Sequence, residues 1–144
     1  MPDEALPLDP RAVLLHESAA DRDEAIRRCG RVLVEVGAAA EPYIDAMLER
    51  ERTISTYVGE GVAIPHGTAA AKQVVTHDAI CVVRFPGGVD WDGEQVTVCV
   101  GIAARGEGHV PLLAALAEIL LDPDRAAALR EATQVDDVVK ALTR

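Results

Sequence analysis

The sequence predicts a single α/β domain whose sheet is covered by helices on both faces. Two observations carry that expectation. Asp78 to Phe85 (DAICVVRF) and Gln95 to Ala104 (QVTVCVGIAA) are near-continuous apolar runs rich in β-branched residues, which suits strands buried on both sides. Segments with apolar residues at helical spacing stand before and after these runs, and such alternation is the pattern of an α/β sandwich. The length of 144 residues, 49% hydrophobic and 26% charged, fits one domain with its own core. Trp91, Phe85, Tyr43 and Tyr57 are the only aromatic residues, so that core must be mostly aliphatic.

Taken in order, Met1 to Pro10 is rich in proline and acid and reads as a loose leader. Ala12 to Leu15 is a short apolar run, a first strand. A helix follows from Asp21, with Glu24 three residues on in a capping-box relation. Its stripe is Ala25, Ile26, Cys29, Val32, Leu33 and Val36, and Gly37 ends it. A second helix begins near Pro42, a residue suited to a first turn, with Tyr43, Ile44, Met47 and Leu48 as its apolar side. Arg50 falls on that side too, where a cation near a helix C-terminus is favoured by the dipole and can snorkel.

The next strand is Val62 to Ile64, stopped by Pro65, which has no N–H for a ladder and keeps Ile64 extended. After Asp78 to Phe85, Pro86-Gly87-Gly88 marks a turn, with a short strand at Val89 to Trp91 and a second turn at Asp92-Gly93. Beyond Gln95 to Ala104, a helix runs from His109 with Pro111 in its first turn and Leu112, Leu113, Leu116, Ile119 and Leu120 as its stripe. Two shorter helices, Asp124 to Ala132 and Val135 to Thr143, complete the chain.

Charge and cysteine usage narrow the function. A formal charge of −10 disfavours nucleic acid and anionic membranes as partners. The three cysteines, Cys29, Cys81 and Cys99, lie inside apolar runs, which favours buried, reduced thiols and a cytoplasmic chain over a disulfide framework. No signal peptide is evident. The longest apolar run, Val110 to Leu121, is too short to insert in a membrane and contains Glu118. No His, Cys or acid pair has metal-ligand spacing, no Walker loop is present, and no cofactor is expected.

The chemistry concentrates at Gly61-Val62-Ala63-Ile64-Pro65-His66-Gly67-Thr68. A strand that ends at a proline delivers His66, exposed, to a glycine whose missing Cβ lets other groups approach the ring. A neutral imidazole is a competent nucleophile near pH 7. It can take a phosphoryl group and hold it as a phosphoramidate, and the protein's task is then positioning and charge stabilisation. His109, at the start of its helix and on the inward side, sits where a helix N-terminus attracts anions and disfavours charge on the ring. It reads as a donor to a phosphoryl oxygen or as a polar helix start. Arg50 reads as a forked cation for phosphate or as a helix-end residue. Thr68 and Glu60 fit turn and surface roles better than contact with the site, and His16 and His77 read as ordinary surface residues.

GVAIPHGT, with AMLERE (Ala46–Glu51) upstream and GIAARGEGH (Gly101–His109) downstream, resembles the IIA proteins of the bacterial phosphoenolpyruvate-dependent sugar phosphotransferase system. The mannitol-type branch is the nearest. The resemblance spans nearly the whole chain and implies one EIIA type-2 domain over residues 1–144 with a mixed β-sheet. It also implies a phosphotransferase with His66 as the phosphoryl acceptor and His109 and Arg50 as its support. The phosphoryl donor would be HPr, and the acceptor a cysteine of the IIB domain of a mannitol IIBC or IICB permease. A fructose-type or nitrogen-regulatory IIA protein, acting by phosphorylation-dependent binding, is the alternative.

Overall fold

The Asp92-Gly93 pair builds the centre of the molecule. Both residues have positive φ (55° and 96°), the two-residue hairpin geometry for which Asp-Gly is suited. It joins β4 (Ala79–Trp91) to β5 (Glu94–Ala103), which pair antiparallel from Trp91↔Glu94 to Ala79↔Ala103. The computed structural model describes residues 7–105 and 109–142, with the side chains of Ala69 and His109 outside that description.

Around this hairpin stand β1 (Leu8–Leu14), α1 (Arg22–Glu35), α2 (Pro42–Thr53), β2 (Tyr57–Gly59) and β3 (Val62–Ala63) on its N-terminal side. On its C-terminal side stand α3 (His109–Leu120), α4 (Pro123–Arg130) and α5 (Val135–Leu142). The sheet order is β1-β4-β5-β3-β2. β1 runs parallel to β4 and β3 parallel to β5, whereas β2 and β3 are antiparallel, so the sheet is mixed.

Strand alternation divides the core in two. Cys81, Val83, Cys99 and Ala103 face one way, against Ile26, Cys29 and Leu33 of α1 and Tyr43 and Met47 of α2. Ile80, Val82, Val100 and Ile102 face the other way, against Leu116 of α3, Leu129 of α4 and Val138 of α5. Each fully buried aliphatic side chain contributes about 1.5–3 kcal/mol. Helices do cover both faces.

Local chemistry explains the helix ends. Asp21 caps α1 by accepting the Glu24 amide (2.9 Å), and the Glu24 carboxyl group accepts the Ala20 amide (2.6 Å). Gly37, at φ 82°, closes the helix as Gly37 N–H reaches Val34 O and Ala38 N–H reaches Leu33 O. Asp122 caps α4 by accepting the amides of Asp124 and Arg125.

Two expectations need correction, and one strand is added. Pro86-Gly87-Gly88 is not a turn: β4 runs through it as one strand, and the register shifts between Arg84 and Val89. Gly88 is at φ 81°, so the positive-φ conformation bends the strand as a bulge rather than reversing it. Leu8 to Pro10, expected in the leader, belong to β1, with Leu8 paired to Ile80; residues 1–6 lie outside the described residues. β2, not foreseen, forms because Glu60 and Gly61 take positive φ (58° and 75°) and fold Tyr57–Gly59 back on β3.

Candidate phosphoryl site

His66 lies just beyond β3. Pairing with β5 does not stop at Pro65: Pro65 O accepts Ile102 N–H (2.9 Å), and His66 forms a parallel bridge with Ile102. The side chain expected to be exposed is only 6% exposed. The ring is turned back on its own segment, its Nδ1 2.9 Å from Ile64 O, while the backbone on either side is held against the sheet and α2. A carbonyl oxygen can only accept, so Nδ1 carries the proton. In the neutral ring the lone pair is then on Nε2.

Tyr43 fixes the residue after His66. Its hydroxyl accepts Gly67 N–H (2.9 Å) and donates to Ile102 O (2.8 Å). A Cβ on Gly67 would fall 2.4 Å from Tyr43 Cε1, so only glycine admits the ring. Burial pushes the Tyr43 phenol up to about 12, so it stays a neutral donor at physiological pH. The close approach that Gly67 permits is that of Tyr43.

Arg50 is near the end of α2, and its Nη1 donates to Ile54 O (2.7 Å), just past the helix. That contact is the helix-end role. His109 opens α3 as expected; its inward orientation, and the loop at residues 106–108, lie outside what the structure describes. Glu60 occupies the β2–β3 turn and pairs with Arg130 (3.2 Å), and Thr68 precedes a short 3-10 turn, Ala69–Val74. Beside the His66 segment is an apolar groove of about 570 Å³, lined by Val58, Ile64, Leu113, Ala117, Leu120 and Leu121. Cys29, Cys81 and Cys99 are free thiols, all buried. Among the described residues there is no group of three or more His, Cys, Asp or Glu side chains able to hold a metal ion, and no helix is long and apolar enough to cross a membrane.

The family model for "Phosphoenolpyruvate-dependent sugar phosphotransferase system, EIIA 2" matches residues 7–144. The chain belongs to the EIIA 2 family. It is 38% identical over 126 residues to the mannitol-specific phosphotransferase enzyme IIA component of Staphylococcus aureus, covering 88% of both chains. It is 39% identical over 145 residues to the mannitol-specific EIICBA component of Pasteurella multocida, where it covers 98% of this chain and 23% of that longer protein. The fold matches enzyme IIA of the mannitol system from Escherichia coli, in its complex with phosphorylated enzyme IIB, with a TM-score of 0.88 and 35% identity over 95% of this chain and 97% of that one. IIA components of this system are phosphotransferases that carry phosphoryl groups between proteins.

For this EIIA 2 chain, sequence reasoning missed two kinds of residue. Tyr43 was visible only as one member of an apolar stripe; Gly67 signalled a close approach but not from which element. Glu51 looked like one more charge in a run, Glu49-Arg50-Glu51-Arg52, yet is 3% exposed. Its place three residues after Leu48 and four after Met47, on the buried stripe, was the available signal.

Proposed function

We propose that this chain is a mannitol-type IIA phosphoryl carrier, with His66 Nε2 as the atom that bears the group. The observation that carries this reading is the Nδ1–Ile64 O hydrogen bond, which sets the tautomer that has its lone pair at Nε2. Nε2 attacks the phosphorus of phosphohistidine on HPr; the new P–N bond forms as the bond to the donor's ring nitrogen breaks, and that nitrogen regains its electron pair. The His66 ring gains positive charge in this step, and the Ile64 carbonyl, already aimed at Nδ1–H, stabilises it. In the second step a cysteine thiolate of a IIB domain attacks phosphorus. The P–Nε2 bond breaks and His66 returns to its neutral form.

The mannitol assignment and the IIB partner rest on the names of the relatives, and HPr on the donor chemistry the family resemblance implies. Arg50 would contribute charge to the phosphoryl oxygens. Its contact with Ile54 engages Nη1, and a guanidinium has five N–H donors in a fixed fork. His109, at the first position of α3, would donate from a neutral ring. The apolar groove offers a dry rim for a docked partner, and the carrier would work in the cytoplasm.

The test is intact mass after incubation with phosphoenolpyruvate, enzyme I and HPr. An acid-labile single phosphoryl adduct on the wild type, absent from His66→Ala, is expected. A wild-type chain left unmodified beside active HPr overturns the reading.

A further inference from the structure

Glu51 carries a carboxyl group into the core. It is 3% exposed on α2, at a position where an apolar side chain would extend the stripe of Ile44, Met47 and Leu48. Its Oε2 accepts Thr56 N–H (2.9 Å) and Trp91 Nε1–H (2.9 Å), and its Oε1 accepts the Thr56 hydroxyl (2.5 Å). No Lys or Arg pairs with it among the described salt bridges. A buried carboxyl group loses hydration, and a well-packed apolar side chain there would serve stability as well or better. What Glu51 provides instead is a fixed point for Thr56.

Thr56 leads into β2, the three-residue strand at the sheet's outer edge. A short edge strand is weakly held in register by its ladder alone. Two hydrogen bonds to Glu51 hold Thr56, and Thr56 O in turn accepts Ile64 N–H (2.9 Å). Ile64 O is the acceptor of His66 Nδ1–H. Three successive contacts thus run from the buried carboxyl group to the imidazole.

We propose that Glu51 is a positioning residue of the phosphoryl site: through Thr56 it fixes the Ile64 carbonyl that keeps the His66 proton on Nδ1. The inference rests on His66 being the phosphoryl acceptor. Histidine side chains in water favour the proton on Nε2, so a displaced Ile64 carbonyl returns the ring toward the tautomer with an N–H where the nucleophilic lone pair is needed. The ring remains in place but the wrong nitrogen is charged with the proton.

Imidazole 15N spectra of the full-length chain report the tautomer, and phosphoryl uptake at varied phospho-HPr reports the rate. Glu51→Ala is expected to shift neutral His66 from Nδ1–H to a mixture. It should also lower the saturated rate by roughly tenfold to a hundredfold, with little change in half-saturating phospho-HPr. Glu51→Gln should recover both, because its amide oxygen can accept from Thr56 and Trp91 while the Thr56 hydroxyl turns to accept from the amide nitrogen. Trp91→Phe removes a donor without touching Thr56, so it should lower thermal stability and leave the tautomer as it is.

A folded Glu51→Ala with wild-type tautomer and rate overturns the proposal. So does a Trp91→Phe that shifts the tautomer as far as Glu51→Ala. If Glu51→Ala does not fold, Thr56→Val, which loses only the hydroxyl contact, decides: a partial shift supports the role and an unchanged tautomer refutes it. A wild type that takes no phosphoryl group, while Glu51→Ala still moves the tautomer, overturns the carrier reading and upholds the control of the ring.

Discussion

The Tyr43 hydroxyl holds the Gly67 amide at 2.9 Å, and the Tyr43 ring occupies the space a side chain on Gly67 would need. The same hydroxyl donates to Ile102 O on β5. One phenol thereby locks the residue after His66 to the central sheet. Because α2 also supplies Glu51, the residues on both sides of the histidine, Ile64 and Gly67, are set from a single helix.

Gly67→Ala should therefore act through Tyr43. The new Cβ would lie 2.4 Å from Cε1 and 2.7 Å from Cζ, and both belong to a buried ring. The expected loss is about 1–3 kcal/mol, the range for overpacking, together with slower phosphoryl uptake. Thermal unfolding and the mass-based uptake assay check both effects. Unchanged stability would mean that the ring yields without cost.

Tyr43→Phe should cost about 1–3 kcal/mol at neutral pH, because it leaves the Gly67 amide and the Ile102 carbonyl without their partner. The alkaline limb is the sharper test. Burial raises the Tyr43 phenol from 10.0 to about 12, so its contribution is full below pH 10 and is lost as pH rises through 12. That contribution is on the order of 2–3 kcal/mol. Denaturant titrations between pH 9 and pH 12 should show the wild type losing this increment relative to Tyr43→Phe; parallel curves would refute it.

Gly101→Ala tests the packing beneath the site. A Cβ there would fall 2.7 Å from Cys81 Sγ and 3.3 Å from Cys29 Cβ, all in the fully buried layer against α1. The substitution alone should destabilise by about 1–3 kcal/mol. Cys81→Ala in the same chain frees that space, so the double variant should be more stable than the sum of the single effects. Additive values would show that the backbone moves instead of the thiol.

Arg50→Ala separates the observed helix-end contact from the proposed role at the phosphoryl group. Loss of the Ile54 contact at an exposed helix end should cost under about 1 kcal/mol. Loss of charge beside the phosphoryl group should slow transfer by about a hundredfold. If rate and stability decline together and modestly, Arg50 only finishes its helix.

Much of the fold was legible in short-range pattern. The caps at Asp21, Gly37 and Pro42 are local chemistry, and the structure has helix ends at each. The runs around Cys81 and Cys99 announced strands buried on both sides, and the two core layers confirm it. Pro86-Gly87-Gly88 misled because the same residues suit a turn and a bulge. The choice between them is made by whether Val89 finds Val96 across the sheet, as it does.

Short-range pattern is enough for the chemistry on offer: one histidine delivered by Ile64-Pro65 to a glycine, and strands whose faces both require cover. Those features depend on neighbours a few residues apart, where backbone geometry and side-chain periodicity act directly. Only the folded chain shows that His66 is buried and that Tyr43 clamps Gly67 to β5. Those contacts join Tyr43 to Gly67 and to Ile102, 24 and 59 positions apart, and the buried Glu51 meets Trp91 from 40 positions away. Hydrogen bonds have no periodicity to read in advance; their partners are fixed only when the sheet and α2 close on one another.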